Sequence, residues 1–336
     1  MSQSDTRTLP GIMAVLMAAI LWGTTGTAAT FATGVSPLAI GSVAMGTGGL
    51  LQALIALRPV LRQRRGIAGN FRYLLIGALA VGIYPMAFYT SMHNAGVAAG
   101  TVVSIGSAPL LSALIEYGFD KHPLSRQWTL GALTGVAGMV LLCLAESHAA
   151  SAGNGLHIAV GILPGLVAGF TYALYSWSAR RMMQNGVSAS AAMGATFGAG
   201  ALLLLPVLLF TGAPLLDSRM TTAVGAYMAL VPKFFGYLCY GYGLARIRAS
   251  TATTLTLTEP VVAALLAVTL VGERLPFTGW AGIGLILLCL LIITLPVQRC
   301  PLSLPRVPPR TAPCSACSAA GGTPAVPFRV LGQSPI

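Results

Sequence analysis

Charged positions in this chain are separated by long apolar runs. Between Arg7 and Arg58 lie 50 residues without an Asp, Glu, Lys or Arg. That is room for two membrane helices of about 20 residues each. Gly34-Val35-Ser36-Pro37 supplies the turn between them. Tyr73 to Ile115 is a second charge-free pair, divided near Asn94-Ala95-Gly96. Carried along the chain, the pattern predicts ten spans, at 10–32, 37–57, 72–92, 96–116, 128–145, 157–178, 188–211, 222–244, 249–271 and 277–296. A buried core helix of a soluble protein would explain one such run, not ten.

Composition agrees. Of 336 residues, 55% are hydrophobic and 8% charged, against roughly 25% charged in a soluble domain. So little polar surface excludes a soluble enzyme and a disordered scaffold. The expected class is all-α polytopic membrane protein.

The formal charge of +12 comes from 19 basic and 7 acidic residues, and their placement carries the information. With the N-terminus in the cytoplasm, 16 basic residues fall on the cytoplasmic side. Arg219 and Arg274 fall on the other, and Lys233 lies inside a span. This is the positive-inside bias, so no nucleic-acid partner is expected. It predicts both termini in the cytoplasm and a multi-pass protein of the plasma (inner) membrane. The N-terminus lacks a basic, apolar and small-residue cleavage pattern, so the first span is expected to be retained.

The organisation expected is a short N-terminus (1–9), two five-helix halves (10–146 and 157–296) and a Pro-rich cytoplasmic tail (297–336). Residues 299–336 hold 8 of the 21 prolines, a disorder-like composition. Cys314 and Cys317 form a lone CxxC there, and a structural zinc site takes four ligands. No metal or cofactor is expected. Cys143, Cys239 and Cys289 read as small apolar fillers.

The halves are weakly similar. At an offset of 151, Ala98, Pro109, Ala113 and Leu114 meet Ala249, Pro260, Ala264 and Leu265. Trp128 meets Trp280 one residue out of register. Five spans per half is odd, so the second half enters from the opposite face. Inverted repeats of this kind mark secondary transporters, with the substrate site near the midplane between halves.

One stretch is more specific. Gly243-Leu244-Ala245-Arg246-Ile247-Arg248-Ala249-Ser250 leads through threonines into Glu259-Pro260-Val261-Val262-Ala263-Ala264-Leu265, then Gly272-Glu273-Arg274-Leu275 and Trp280. It resembles the second EamA repeat of the drug/metabolite transporter superfamily. Ala108-Pro109-Leu110-Leu111-Ser112-Ala113-Leu114 with Trp128 resembles the first-repeat counterpart, and Ala19-Ile20-Leu21-Trp22-Gly23 the first-helix signature. The resemblance covers residues 10–296. It implies ten helices in two inverted repeats and movement of small metabolites, often export of amino acids or related compounds. The chain departs from the pattern at 24–31, where a Lys common in relatives is missing, and it lacks the first-helix Glu of the small multidrug relatives.

Charges at membrane depth are costly and mark function by default. Lys233 lies midway along the eighth span, too deep to snorkel. It is expected to meet a substrate carboxylate or phosphate; the competing reading is an ion pair that locks helices. Glu259 precedes Pro260, which leaves a helix carbonyl unpaired. It has a structural reading as a repeat motif, and others as partner of a substrate ammonium, a proton or Lys233. Glu116 is expected to be a solvated charge at the end of the fourth span.

Thr251, Thr254 and Thr258 share one helix face, and Thr101, Ser104 and Ser107 recur every third residue. Both sets either line a cavity or bond their own backbone. Phe234 and Tyr237 flank Lys233 within a turn, placed to pack an apolar part of a ligand; Trp22 is a further candidate. Gly131-xxx-Gly135 and Gly194-xxx-Gly198 are small-residue faces that either join the halves or support a homodimer.

The leading expectation is an alternating-access carrier of small zwitterionic metabolites such as amino acids, in a lipid bilayer, with a coupling proton left open. An intramembrane enzyme and a channel are the competing classes. The four His lie in loops or at span ends, and there is no serine nucleophile elbow, HExxH or P-loop. Nor are there the charge rings of a channel filter.

Overall fold

The computed structural model describes residues 5–29, 31–95, 97–121, 124–147, 155–271 and 276–295. The expected tail with Cys314 and Cys317, and Gly272-Glu273-Arg274-Leu275, lie outside them. Among the described residues every regular element is a helix. Nine stretches there are long and apolar enough to cross a membrane.

The long segments are α1 (Asp5–Ala29), α2 (Pro37–Ile55), α3 (Phe71–Ala95), α4 (Val97–Asp120), α5 (Arg126–Ser147), α6 (Gly155–Gln184), α7 (Ala189–Thr211), α8 (Arg219–Leu244), α9 (Ala249–Leu270) and α10 (Phe277–Thr294). The 22-residue α5 is the one outside the nine. Large apolar side chains such as Leu163, Leu203 and Leu291 stand exposed on the outer surface, where a bilayer would cover them.

Segment ends follow local chemistry. Ser36 and Ser188 cap α2 and α7, each accepting a backbone N–H from three residues ahead. α6 runs two turns past the expected end at 178. It stops at Gly186, whose φ of 92° only glycine adopts without strain. Val187 N–H bonds Met182 O and Gly186 N–H bonds Met183 O, the paired bonds of a Schellman ending. The extension makes Arg180 and Arg181 helical rather than loop residues.

The packing is reciprocal. α1 lies against α8 and α9, and α6 lies against α3 and α4. The first helix of each half thus packs on the third and fourth of the other. α2 packs on α7, and α5 on α10. The small-residue faces serve these contacts: a Cβ on Gly131 or Gly135 would strike α10, and one on Gly194 or Gly198 would strike Ala56 or Ala53.

At the α5–α10 crossing the backbones touch. A Cβ on Gly138 would sit 2.7 Å from Gly282 O, and one on Gly282 would sit 2.6 Å from Gly138 O. Backbone cannot yield as a flexible side chain can. Gly138→Val and Gly282→Val should each lower stability by about 1–3 kcal/mol, read as a lower thermal midpoint in detergent. Gly284→Ala, into open space, should leave it unchanged; equal melting of all three would refute the crossing.

Candidate functional site

The site forms where two helices break at proline. In α8, residues Ala229–Phe235 are wound as a π-helix around Pro232. Proline has no N–H to donate, and π-turns recur at functional positions. Two carbonyls beside the break accept bonds from other helices. Trp22 Nε1–H of α1 donates to Pro232 O at 2.7 Å, and Gln52 Nε2–H of α2 donates to Lys233 O at 3.2 Å. α2 comes this close because Gly48 lacks a Cβ, which would meet Lys233 Cβ at 2.8 Å.

α9 breaks too. Helical residues Ala249–Leu255 and Thr258–Leu266 flank a turn at Thr256-Leu257. Pro260 cannot donate to Thr256 O, and Glu259 N–H takes that acceptor instead at 2.9 Å. The chain tightens there, and Glu259 is set beside the opening.

Two adjoining cavities lie between the halves. The larger, about 180 Å³, is walled by Trp22, Thr25, Phe88, Met92, Met139, Met228 and Glu259, among others. The smaller, about 30 Å³, is lined by Lys233, Glu259, Thr25, Tyr84, Phe88 and Tyr89, with Gly41, Met45 and Pro85. Lys233 and Glu259 are each half-buried. Neither charged group has a hydrogen-bond or ion-pair partner among the described residues. The Lys233 ammonium faces two rings, 5.8 Å from the Trp22 centroid and 5.7 Å from that of Tyr237, a cation–π setting.

The other expected residues divide. Trp22 is buried and forms part of the larger wall. Tyr237 is buried behind Lys233, its hydroxyl 2.9 Å from that of Tyr175. Phe234 is buried against Phe235. Thr254 Oγ1 donates to Ser250 O, Thr258 Oγ1 to Leu255 O and Ser107 Oγ to Ser104 O. These three hydroxyls bond their own helices and are not among the residues lining either cavity. Thr101 does line the larger one.

Beyond Lys233 the bundle closes in a layer of rings. Trp22 packs on Tyr237 and Tyr240 with centroids 4.7 and 5.3 Å apart. Tyr172 pairs its hydroxyl with Thr256 Oγ1 at 2.8 Å, and Tyr240 with Ser176 Oγ at 2.9 Å.

Below the rings sits a set of charges whose roles the sequence hid. Glu116 is not a solvated helix end; it is 3% exposed. Its Oε1 accepts the N–H groups of Ala249 (2.8 Å) and Ser250 (3.4 Å), and its Oε2 accepts Ser250 Oγ–H at 2.5 Å. Arg248, the N-cap of α9, offers no side-chain cap. A carboxylate from α4 does that work, favoured also by the helix dipole. At the facing end of α8, Arg180 donates to Leu244 O at 2.5 Å and to Ile247 O. Asp120 pairs with Arg181 at 2.5 Å and accepts Trp177 Nε1–H at 3.2 Å. The connection 244–250 is thus gripped by an acid from the first half and an arginine from the second.

Gln52, a single amide in an apolar run, was visible as a depth-marking polar residue. Glu116 and Arg180 had no such signal, since their partners are 133 and 64 or more residues away.

A multi-pass helical bundle with a cation and an anion bordering a cavity between two halves fits the architecture of a membrane transporter. The chain belongs to the EamA-like transporter family, whose pattern matches twice, over residues 9–144 and 159–295. It is similar to "Uncharacterized transporter YwfM" of Bacillus subtilis, 31% identical across 83% of this chain and 92% of that protein. It is also similar to the "Uncharacterized inner membrane transporter YicL" of Salmonella typhimurium, 24% identical across 87% and 97%. A third relative is the "Probable terminal-alkyne amino-acid exporter" of Streptantibioticus cattleyicolor, 25% identical across 78% and 89%. A solved crystal structure superposes with a TM-score of 0.68 at 22% identity, covering 86% of this chain and 96% of its own; it speaks for the fold alone.

Glu116→Ala should strand the Ala249 and Ser250 donors and cost about 1–3 kcal/mol. Glu116→Gln, which keeps an acceptor oxygen, should cost less. Thermal unfolding of the purified variants checks this; equal midpoints for wild type and alanine variant would dismiss the cap.

Proposed function

We propose that this protein is a secondary transporter that exports small zwitterions, amino acids with apolar side chains foremost, by alternating access. The observation that carries the reading is that two opposite charges, Lys233 and Glu259, border one small cavity with no hydrogen bond or close ion pair among the described residues. The ammonium takes a carboxylate and the carboxylate takes an ammonium. The adjoining space accepts the side chain, against Met92, Met139, Leu142 and Met228. Methionines suit this, being apolar and adaptable. At about 180 Å³ the cavity is well below the ~300–1,000 Å³ of drug-sized sites, which favours a small metabolite. The amino-acid exporter among the relatives points the same way and suggests the direction.

The reciprocal packing supports two inverted five-helix repeats, ten helices in all. Under the positive-inside rule, the end bearing Glu116 and Arg180 faces the cytoplasm. The cavity lies toward the opposite end, at Ala29, Met92 and Thr101. This is then an outward-facing state. Its cytoplasmic side is shut by the tyrosine layer and by the grip on 244–250, which must open for substrate to enter from inside. Glu259 is also the group placed to carry a coupling proton.

In proteoliposomes, Lys233→Ala should lower amino-acid counterflow at least about 100-fold with the thermal midpoint retained, as expected for loss of a desolvated charge contact worth ~3 kcal/mol. Lys233→Arg should restore part of it. Full flux by the alanine variant would remove Lys233 from the site.

A second outcome concerns the seal. Arg180→Ala should speed labelling of Thr253→Cys by a membrane-impermeant maleimide applied from the cytoplasmic side of inverted vesicles. Thr253 is fully buried at present. Unchanged labelling would show that Arg180 does not hold the gate.

A further inference from the structure

The segment joining α2 to α3 and the first turn of α3 together hold five arginines, Arg58, Arg62, Arg64, Arg65 and Arg72, and no acid. All five are exposed, and none has an ion-pair or hydrogen-bond partner among the described residues. Orientation in the membrane requires only that such charge be present in a short loop. A floppy loop would serve. This one is built.

Two short helices, Leu57–Arg62 and Arg64–Gly69, fill the segment. One face docks on the bundle. Ile67 is buried with Met182, Val187 and Ala191, and Val60 packs beside them. Gln63 Oε1 accepts both the N–H and the hydroxyl of Ser188 at 2.9 Å. Asn185 Nδ2–H donates to Asn70 Oδ1 at 2.6 Å, and Asn70 Nδ2–H donates to Gly66 O at 2.8 Å.

With that face fixed, the rest of the segment is presented outward. Arg58 and Arg62 lie one turn apart on the first short helix, Arg64 and Arg65 on the second and Arg72 in the first turn of α3, and together they form an exposed cationic cluster. Leu54, Leu57 and Leu61 are exposed near them, and Phe71 is exposed where α3 begins. A helical segment docked on protein through one side, with exposed leucines and arginines on the rest, fits the boundary between acyl chains and headgroups.

We infer that this segment is a binding platform for the anionic phospholipids of the cytoplasmic leaflet, the leucines entering the acyl region and the arginines holding headgroup phosphates. The guanidinium fork pairs with phosphate oxygens two at a time. Basic residues next to a span are drawn to anionic lipid, and the attraction weakens with salt. Because the platform is bonded to the α6–α7 turn at 185–188, a lipid held there braces the first half against the second. The inference is independent of Lys233 and Glu259.

The test uses the full-length protein in nanodiscs of phosphatidylcholine with increasing phosphatidylglycerol. Phosphatidylglycerol should raise the wild-type thermal midpoint progressively, and less so at high salt. Native mass spectrometry should find it retained over phosphatidylcholine several-fold. Arg62→Gln/Arg65→Gln/Arg72→Gln, which leaves Arg58 and Arg64 as orientation signal, should lose most of both effects. The triple lysine variant should keep part. Should the triple glutamine variant not fold, Arg62→Gln alone should show a proportionate loss. Equal responses in wild type and variant, or none in wild type, overturn the inference. Stabilisation by free glycerol phosphate equal to that by lipid would overturn it as well, making the cluster a soluble-anion site.

Discussion

A bilayer interior holds no water to satisfy a backbone group that loses its helical partner. This constraint organises the centre of the molecule. Pro232 and Pro260 each interrupt a spanning helix, and bonds to carbonyls beside each break answer it; of these acceptors only Thr256 O is the one its proline cannot reach. Trp22 and Gln52 reach across to Pro232 O and Lys233 O, and Glu259 N–H turns back to Thr256 O. A buried polar group left unmet costs about 1–3 kcal/mol, so these answers hold α1 and α2 against α8. They also fix where the two charges point, since Lys233 follows one proline and Glu259 precedes the other. The break, its repair and the placement of charge are one device.

The same side-chain type takes opposite roles at the two ends. Glu116 and Glu259 both lie within membrane-depth segments. Glu116 has three donors from a neighbouring helix and is saturated. Glu259 has none and faces open space. A saturated buried carboxylate stabilises a particular packing; an unsaturated one at a cavity wall retains its capacity for a ligand. The Arg180 and Lys233 cations divide likewise. At the end away from the cavities, Glu116 and the Asp120–Arg181 pair join the halves while Arg180 ties two segments of the second half together. A bundle that alternates must exchange these conditions, which ties its gate energetics to bonds from Glu116 and Arg180.

Much of this was legible in the chain itself. Charge-free runs located the helices because a spanning segment tolerates few charges. Lys233 and Glu259 stood out for the same reason, and Pro260 marked a break. The π-winding at 229–235 was not legible, since one extra residue in a turn leaves no mark on hydropathy. Phe234, next to Lys233 in sequence, points to a different side of the helix, as neighbours about 100° apart do, and lies buried against Phe235. The threonine spacing of the ninth span assumed one continuous helix, but the turn at Thr256-Leu257 parts Thr254 from Thr258, and both spend their hydroxyls on nearby backbone carbonyls. Spacing reports the side of a helix, not the partner on it. Glu116 and Arg180 escaped because capping a distant helix end depends on tertiary approach alone.

Charge balance in the cavity constrains what can be carried. Lys233 and Glu259 together are neutral, and no third ionised group lines either cavity among the described residues. When the cavity closes, water leaves and the effective dielectric falls, so any net charge added by a ligand is penalised steeply. A zwitterion adds none, and each of its ends replaces solvent at a wall charge. A phosphate ester would bring two negative charges to one ammonium, beside a carboxylate that repels them. A lone amine would meet Glu259 while adding its charge to that of Lys233. Under the proposed alternating access, an apolar zwitterion is the ligand for which closure would cost least, and the methionine-lined space next to the pair would supply the burial of apolar surface that favours it.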